Sequence, residues 1–478
     1  MSKIKKIATL SIGQGINVIV NFLFLPYMAR VLSYEDYGSY GQVLLISSFT
    51  IALFSFGLSQ IIFVYLTKKD TQGSVLTSNL FAGLLLGFLS CGALFFSSDL
   101  FANYLENPAI SRLIKIYSFT SIFIIPFASI NAYLVFKDKV KSSVGISVLS
   151  NLIKVILVVY AIQIHESIGL SLLFIGISSI IQFSIGCFLI RNKVNFSFPK
   201  QLLLEQLQKG LPLGLTGILG TGILYIDGLM VSKIEGVEAF AIYRNGAIEV
   251  PYLAAVYASI AAIILPEVAK LYAKGSFAEI VRLKKKVIQN TMMITYPVLI
   301  FLLFNATDFI ILYLGEKYSE SALIFAVFNL TLLMRVNDYH DVIVSANRSK
   351  LLLRYYGFVF ILNVILNYFF ISYLGILGAA IATVSSLFIF AYILLQKSMK
   401  LVQSSISKVV HFRSFIGVVV ICSTLAFLLS FTKMFVDNRV INLVLAAAIF
   451  FPVSYFILLK FNFFSESIKN KVLIKLKL

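Results

Sequence analysis

Along this chain apolar residues run for about eighteen or more positions, stop at a short polar segment and resume. Runs of that length are what a helix needs to cross the hydrocarbon core of a bilayer. Fourteen are legible, at about 7–29, 39–66, 76–97, 113–136, 143–164, 168–190, 210–232, 238–266, 287–306, 320–345, 352–373, 376–397, 412–431 and 440–460. The pattern predicts an all-α polytopic membrane protein with about fourteen transmembrane helices.

Charge placement tests that pattern. The net charge is +19, but the basic residues sit in short loops rather than in a nucleic-acid-binding stripe. With a cytoplasmic N-terminus, thirty of the forty Lys and Arg fall in inside segments and seven in outside ones. The remaining three, Lys154, Arg244 and Arg335, fall within spans. Such a bias supports an orientation with both termini cytoplasmic. The first apolar run continues too long for a cleavable signal and reads as the first span. No loop is long enough for a separate catalytic domain.

A weak internal repeat organises the runs. "EDYGSY" at 35–40 matches "EAFAIY" at 238–243, and "GISVLSN" at 145–151 matches "GFVFILN" at 357–363. The two similar offsets, in the same order, suggest a duplicated six-helix unit. An even number of helices gives both copies one orientation, hence parallel pseudo-repeats. The expected organisation is two six-helix lobes, 1–200 and 201–400, followed by 401–478 as two extra C-terminal helices and a basic cytoplasmic tail.

The charges at membrane depth are the chemical signal, because a charge in hydrocarbon costs several kcal/mol on most scales. Lys154, in "SNLIKVILVV", lies near the middle of its span, and that span offers it no carboxylate. Its partner must come from another helix or from an anionic substrate. Arg244 is similar: Glu249, five positions on, falls on a different helical face, and Pro251 should interrupt the helix there. Asp227, Glu249, Asp338 and Asp341 are the acidic counterparts. Asn17 and Asn21 sit four apart, with Gln14 on the same face. That face serves either interhelical hydrogen bonding or a polar cavity.

The densest group is "LLMRVNDYHD", 332–341. On a helix, Arg335, Asp338 and Asp341 form a stripe at three-residue spacing. A local Arg335–Asp338 ion pair is the plain reading, and it leaves Asp341 in need of a second partner or water. The three are expected to face the lobe interface or neighbouring helices. By the repeat, the first-half equivalent is the apolar "IFIIPFASI", 122–130, so the lobes should be chemically unequal.

Enzyme signatures are missing from the sequence. There is no Walker motif and no H-E-x-x-H, and three scattered histidines make no metal site. Cys91, Cys187 and Cys422 form no C-x-x-C arrangement. The expectation is a transporter rather than an enzyme, with no cofactor and no metal.

Four stretches carry a resemblance: "FLPYMARVLSYEDYGSYG" (24–41), "YIDGLMVSKIEGVEAFAIYRNG" (225–246), "ANRSKLLL" (346–353) and "YLGILGAAIATVSS" (373–386). They resemble the polysaccharide transporter branch of the multidrug, oligosaccharidyl-lipid and polysaccharide (MOP) exporter superfamily, in particular the Wzx-type flippases for O-antigen or capsule repeats. Ala241 departs from the glycine expected before Tyr243. The resemblance covers roughly the first 400 residues and implies two six-helix lobes around a central cavity in a bacterial cytoplasmic membrane. It implies an oligosaccharide on undecaprenyl diphosphate as substrate, moved by alternating access. Lys154, Arg244 and Arg335 would then meet the pyrophosphate, and Asn17 and Asn21 the sugars. Asp227, Glu249, Asp338 and Asp341 would be candidates for coupling to a proton or sodium ion. Membrane lipids, and the polymerase and chain-length proteins of the same pathway, are the other expected partners; nucleic acid is not. A drug exporter or lipid II flippase of the same superfamily is the alternative, and a polysaccharide polymerase a more distant one.

Overall fold

The structure is a computed structural model that describes residues 3–55, 57–66, 72–194, 200–337, 339–410, 412–461 and 463. Asp338 and the basic tail beyond residue 463 lie outside the described residues, as do Lys68 and Lys69. The described residues contain helices and connecting turns and no strand. Two compact units divide them, Met1–Ala241 and Ile242–Leu478.

In the first unit the helices are α1 (Lys3–Val31), α2 (Tyr34–Phe54), α3 (Leu58–Leu66), α4 (Gln72–Tyr104), α5 (Ala109–Ser118), α6 (Thr120–Phe136), α7 (Val140–His165), α8 (Ile168–Ile190) and α9 (Lys200–Ile234). Small residues set the close approaches. Gly83 and Gly87 form a G-x-x-x-G on α4, and a Cβ on them would lie 2.8 Å from Pro126 Cα and 2.9 Å from Ile122 Cα of α6. Backbones that near gain dispersion contacts, which carry helix association where the hydrophobic effect is absent. At one end, Asn107 donates to Ser39 Oγ (2.8 Å) and Gln42 Oε1 (2.7 Å), and Gln42 in turn bonds Ser232 of α9. Beside this buried chain, Lys233 meets Glu106 at 2.6 Å and holds its exposed carboxyl below the ordinary carboxylate range. Lys200–Ile234 packs on α2, α3 and α4. The division of the chain into repeat lobes at residue 200 stays a proposal.

A short helix, α10 (Gly236–Gly246), leads into the second unit. There follow α11 (Pro251–Ala273), α12 (Phe277–Phe304), α13 (Ala306–Leu314), α14 (Ser321–Asn329), α15 (Asp341–Ser345), α16 (Ser349–Leu401), α17 (Phe412–Ser430) and α18 (Arg439–Lys460). α17 and α18 pack on α12 around Met293, Phe301, Cys422 and Phe450. The 53 residues of α16 are two helical arms joined at Gly375, where the chain reverses; its φ of 59° and ψ of −145° are open to glycine. Asn363 donates to Ser386 Oγ at 2.9 Å across 23 positions, which only a hairpin permits. A Cβ on Gly378 would lie 1.9 Å from the carbonyl oxygen of Phe370.

Among the described residues ten helices are long and apolar enough to cross a membrane, eleven with the bent pair α5–α6 counted as one span. The fourteen spans read from the pattern are therefore not reproduced as fourteen uninterrupted helices. The expected spans 352–373 and 376–397 are the two arms of α16. Those at 238–266 and 320–345 are broken. The first stops at Gly246 and restarts at Pro251, whose missing amide hydrogen suits a helix start. The second passes from α14 through a 3₁₀ turn at Leu330–Leu333, then through non-helical residues to α15.

Candidate functional site

The two breaks meet in the second unit. Asn329 donates from its side chain to the carbonyl of Ile248 (3.0 Å), and Arg335 forms an ion pair with Glu249. Three tyrosines donate to carbonyls in and just after the 3₁₀ turn, where α-helical hydrogen bonding stops. Tyr257 donates to Leu332 O (3.1 Å), Tyr296 to Leu333 O (2.8 Å) and Tyr339 to Met334 O. His340 Nε2 lies 3.1 Å from Tyr356 Oη, and the two rings stack.

Beyond the break, Lys284 of α12 reaches Asp341 Oδ1 at 2.8 Å and Asn337 Oδ1 at 3.0 Å. Both charged side chains of that pair are 0% exposed. Asp341 also heads α15, where the amide end of a helix favours a negative charge. Among the described residues the cluster thus balances Arg335 and Lys284 against Glu249 and Asp341.

The structure corrects the helical stripe expected for "LLMRVNDYHD". Arg335 is in a turn and Asp341 starts a helix, so their spacing of six, two steps of three, does not align them. Arg335 pairs with Glu249, and Asp341 with Lys284, on neighbouring elements. The local Arg335–Asp338 pair falls on a residue outside the described set. In sequence Lys284 sits in "RLKKK", 282–286, among cations that read as an inside loop. Its spacing of four from Ile280 and Ile288, both buried, was the signal that it faces inward. Tyr257, Tyr296 and Asn337 gave no comparable signal.

The first unit holds a second polar group, on the seam between α1 and α7. Lys154 lies mid-helix, fourteen residues from Val140 and eleven from His165. Its Nζ is 3.1 Å from Asn21 Oδ1, and one turn away Asn151 donates to Asn17 Oδ1 at 3.1 Å. Among the described residues Lys154 forms no ion pair, so neutral amide oxygen is what it meets. Asp227, buried on α9, accepts from the Gly228 amide at 2.6 Å. Arg244 is half-buried on α10. The structure therefore brings Lys154 to Asn21 and Arg335 to Glu249. It attaches Asn17 to the same seam and gives Asp341 a lysine partner.

Packed α-helices, two of them broken beside buried charges, define a multi-pass membrane protein built like a transporter. Solved structures agree on the fold. A lipid II flippase, MurJ, in an inward closed conformation, superposes with a TM-score of 0.73 over 94% of this chain and 99% of its own, at 19% identity. An inward-facing MATE-family multidrug transporter of the MOP superfamily gives 0.65 over 83% and 98%, at 13% identity. A MOP transporter from Pyrococcus furiosus gives 0.60 over 84% and 96%, at 14% identity. An uncharacterized membrane protein of Methanocaldococcus jannaschii is 24% identical over 416 residues, 79% of this chain and 81% of that protein. The polysaccharide biosynthesis protein family model matches residues 27–323. The chain belongs to that family.

Proposed function

We propose that this protein is a flippase that carries an oligosaccharide repeat unit on undecaprenyl diphosphate across the cytoplasmic membrane by alternating access. The product would supply a surface polysaccharide, O-antigen or capsule. The observation that carries this reading is Lys154: a cation at mid-helix whose contact is a neutral amide. A charge so placed is expensive unless water or an anion meets it. A diphosphate provides that anion at one stage of transport, and Asn17, Asn21 and Asn151 provide hydrogen bonds beside it. Arg335 can serve the same substrate by exchanging Glu249 for a phosphate oxygen, and Arg244 adds a third cation. Glu249 and Asp341, each held by a cation, are the coupling carboxylates best placed to bind a proton or sodium ion as that cation is released; Asp227 and Asp338 remain in the set.

A second reading is favoured by the 0.73 superposition on a lipid II flippase over 94% of the chain. Lys154→Ala tests the chemistry common to both. Surface polysaccharide should be lost while the protein stays at normal abundance in the membrane, and Lys154→Arg should keep more activity than alanine because the charge survives. Normal export by the alanine variant would end the assignment of Lys154 to substrate. Rescue of cells depleted of their lipid II flippase separates the two substrates.

A further inference from the structure

At the start of α16, Asn347, Arg348, Lys350, Leu351 and Arg354 line a cavity of about 490 Å³. Asn347 sits in the left-handed region (φ 56°), and the Arg348 amide donates back to Ile343 O at 3.0 Å, so the turn carries Arg348 round beside the helix. All three cations are exposed, and among the described residues none forms an ion pair. Four cations at other helix ends and turns do pair: Lys115 with Asp99, Lys233 with Glu106, Lys433 with Asp308, Arg439 with Glu316. A cavity with three cations and no carboxylate among its described lining residues selects an anion.

The same helix indicates what the anion is attached to. Lys350 and Arg354 begin a face that continues through Phe358, Ile361, Ile365 and Tyr368, all exposed. These positions recur at three and four, the repeat of one helical side. From Arg354 to Tyr368 the stripe runs about 21 Å at 1.5 Å per residue, more than one leaflet of hydrocarbon. A charged cavity thus opens at the head of an apolar track of acyl-chain length.

We infer that this is a binding site for a phosphate-headed membrane lipid, with the phosphate among Arg348, Lys350 and Arg354 and a tail along Phe358–Tyr368. The site is separate from Lys154 and does not depend on what the protein transports. Each cation near an anionic headgroup strengthens binding about fivefold, so three give about a hundredfold.

The purified full-length protein, titrated with phosphatidylglycerol and watched by native mass spectrometry, tests this. Wild type should retain phosphatidylglycerol at least about tenfold better than phosphatidylcholine. R348Q/K350Q/R354Q should lose that preference. K139Q/K141Q/K274Q removes as many exposed cations elsewhere and should keep it. Because the three altered side chains are exposed, unchanged elution and circular dichroism should accompany the loss. Equal retention by the triple variant and wild type would overturn the site. Full displacement by glycerol phosphate at matched concentration would overturn the lipid in favour of a free phosphate.

Discussion

Lys284 and Asp341 take two opposite charges out of solvent completely. Removing one partner from such a pair strands the other, at a cost of about 3–5 kcal/mol. Lys284→Ala should therefore lower the melting temperature in detergent and the amount of protein in the membrane. Lys284→Met together with Asp341→Leu removes both charges at similar volume and should recover most of the stability. The double variant also sorts the role of Asp341. If it is stable but does not export polysaccharide, Asp341 is needed for transport as well as for folding. If it exports normally, the coupling carboxylate is one of the others, with Glu249 next by its contact with Arg335. This pair was half legible in sequence. Asp341 was singled out because a carboxylate in an apolar run needs a partner, but Lys284 hid in "RLKKK", where lysines usually reach water. Lys154 was legible because nothing near it in sequence was polar enough to excuse it.

Gly378 shows what one atom does to an element. A Cβ there would lie 1.9 Å from Phe370 O, a backbone atom that cannot step aside without opening the hairpin. Gly378→Ala should destabilise the α16 arms and cut membrane abundance below that of Gly357→Ala, since a Cβ on Gly357, in the same helix, meets nothing within 4 Å. Western blots of membrane fractions compare the two; equal abundance would mean that the arms do not rely on the close approach. Ser33 is a milder case: its side chain caps α2 by accepting from the Asp36 amide, so Ser33→Ala should cost about 1 kcal/mol. At this scale the sequence read well where an element is long, apolar and unbroken. It read poorly at 320–345, because hydropathy counts apolar residues and does not register whether the backbone carries helical hydrogen bonds. Three tyrosines donate to carbonyls there, two of them from α11 and α12, far away in sequence. Pro251 was the exception, since a missing donor announces a break locally.

Charge over the whole chain argues for one orientation. Arg30, Arg112, Lys115, Lys233, Lys317, Lys433 and Arg439 are the cations on the side proposed to face outward, and four of them are neutralised by Asp99, Glu106, Asp308 and Glu316. The other side carries the excess, including the unpaired Arg348, Lys350 and Arg354. Cytoplasmic loops of membrane proteins carry the excess of Lys and Arg, and here that excess is thirty to seven. Cysteine labelling checks the assignment. Cys91, Cys187 and Cys422 are all free thiols, so they are replaced first. Single cysteines then go at exposed turn positions: Glu166 and Asp437 on the proposed outer side, Lys139 and Lys274 on the inner. An impermeant maleimide added to intact cells should label Glu166→Cys and Asp437→Cys, and should reach Lys139→Cys and Lys274→Cys only after the membrane is opened. The converse pattern would invert the orientation. Labelling of Lys139→Cys and Asp437→Cys from the same side would mean an even number of crossings between them, and one of the broken helices would then enter and leave the membrane on one face.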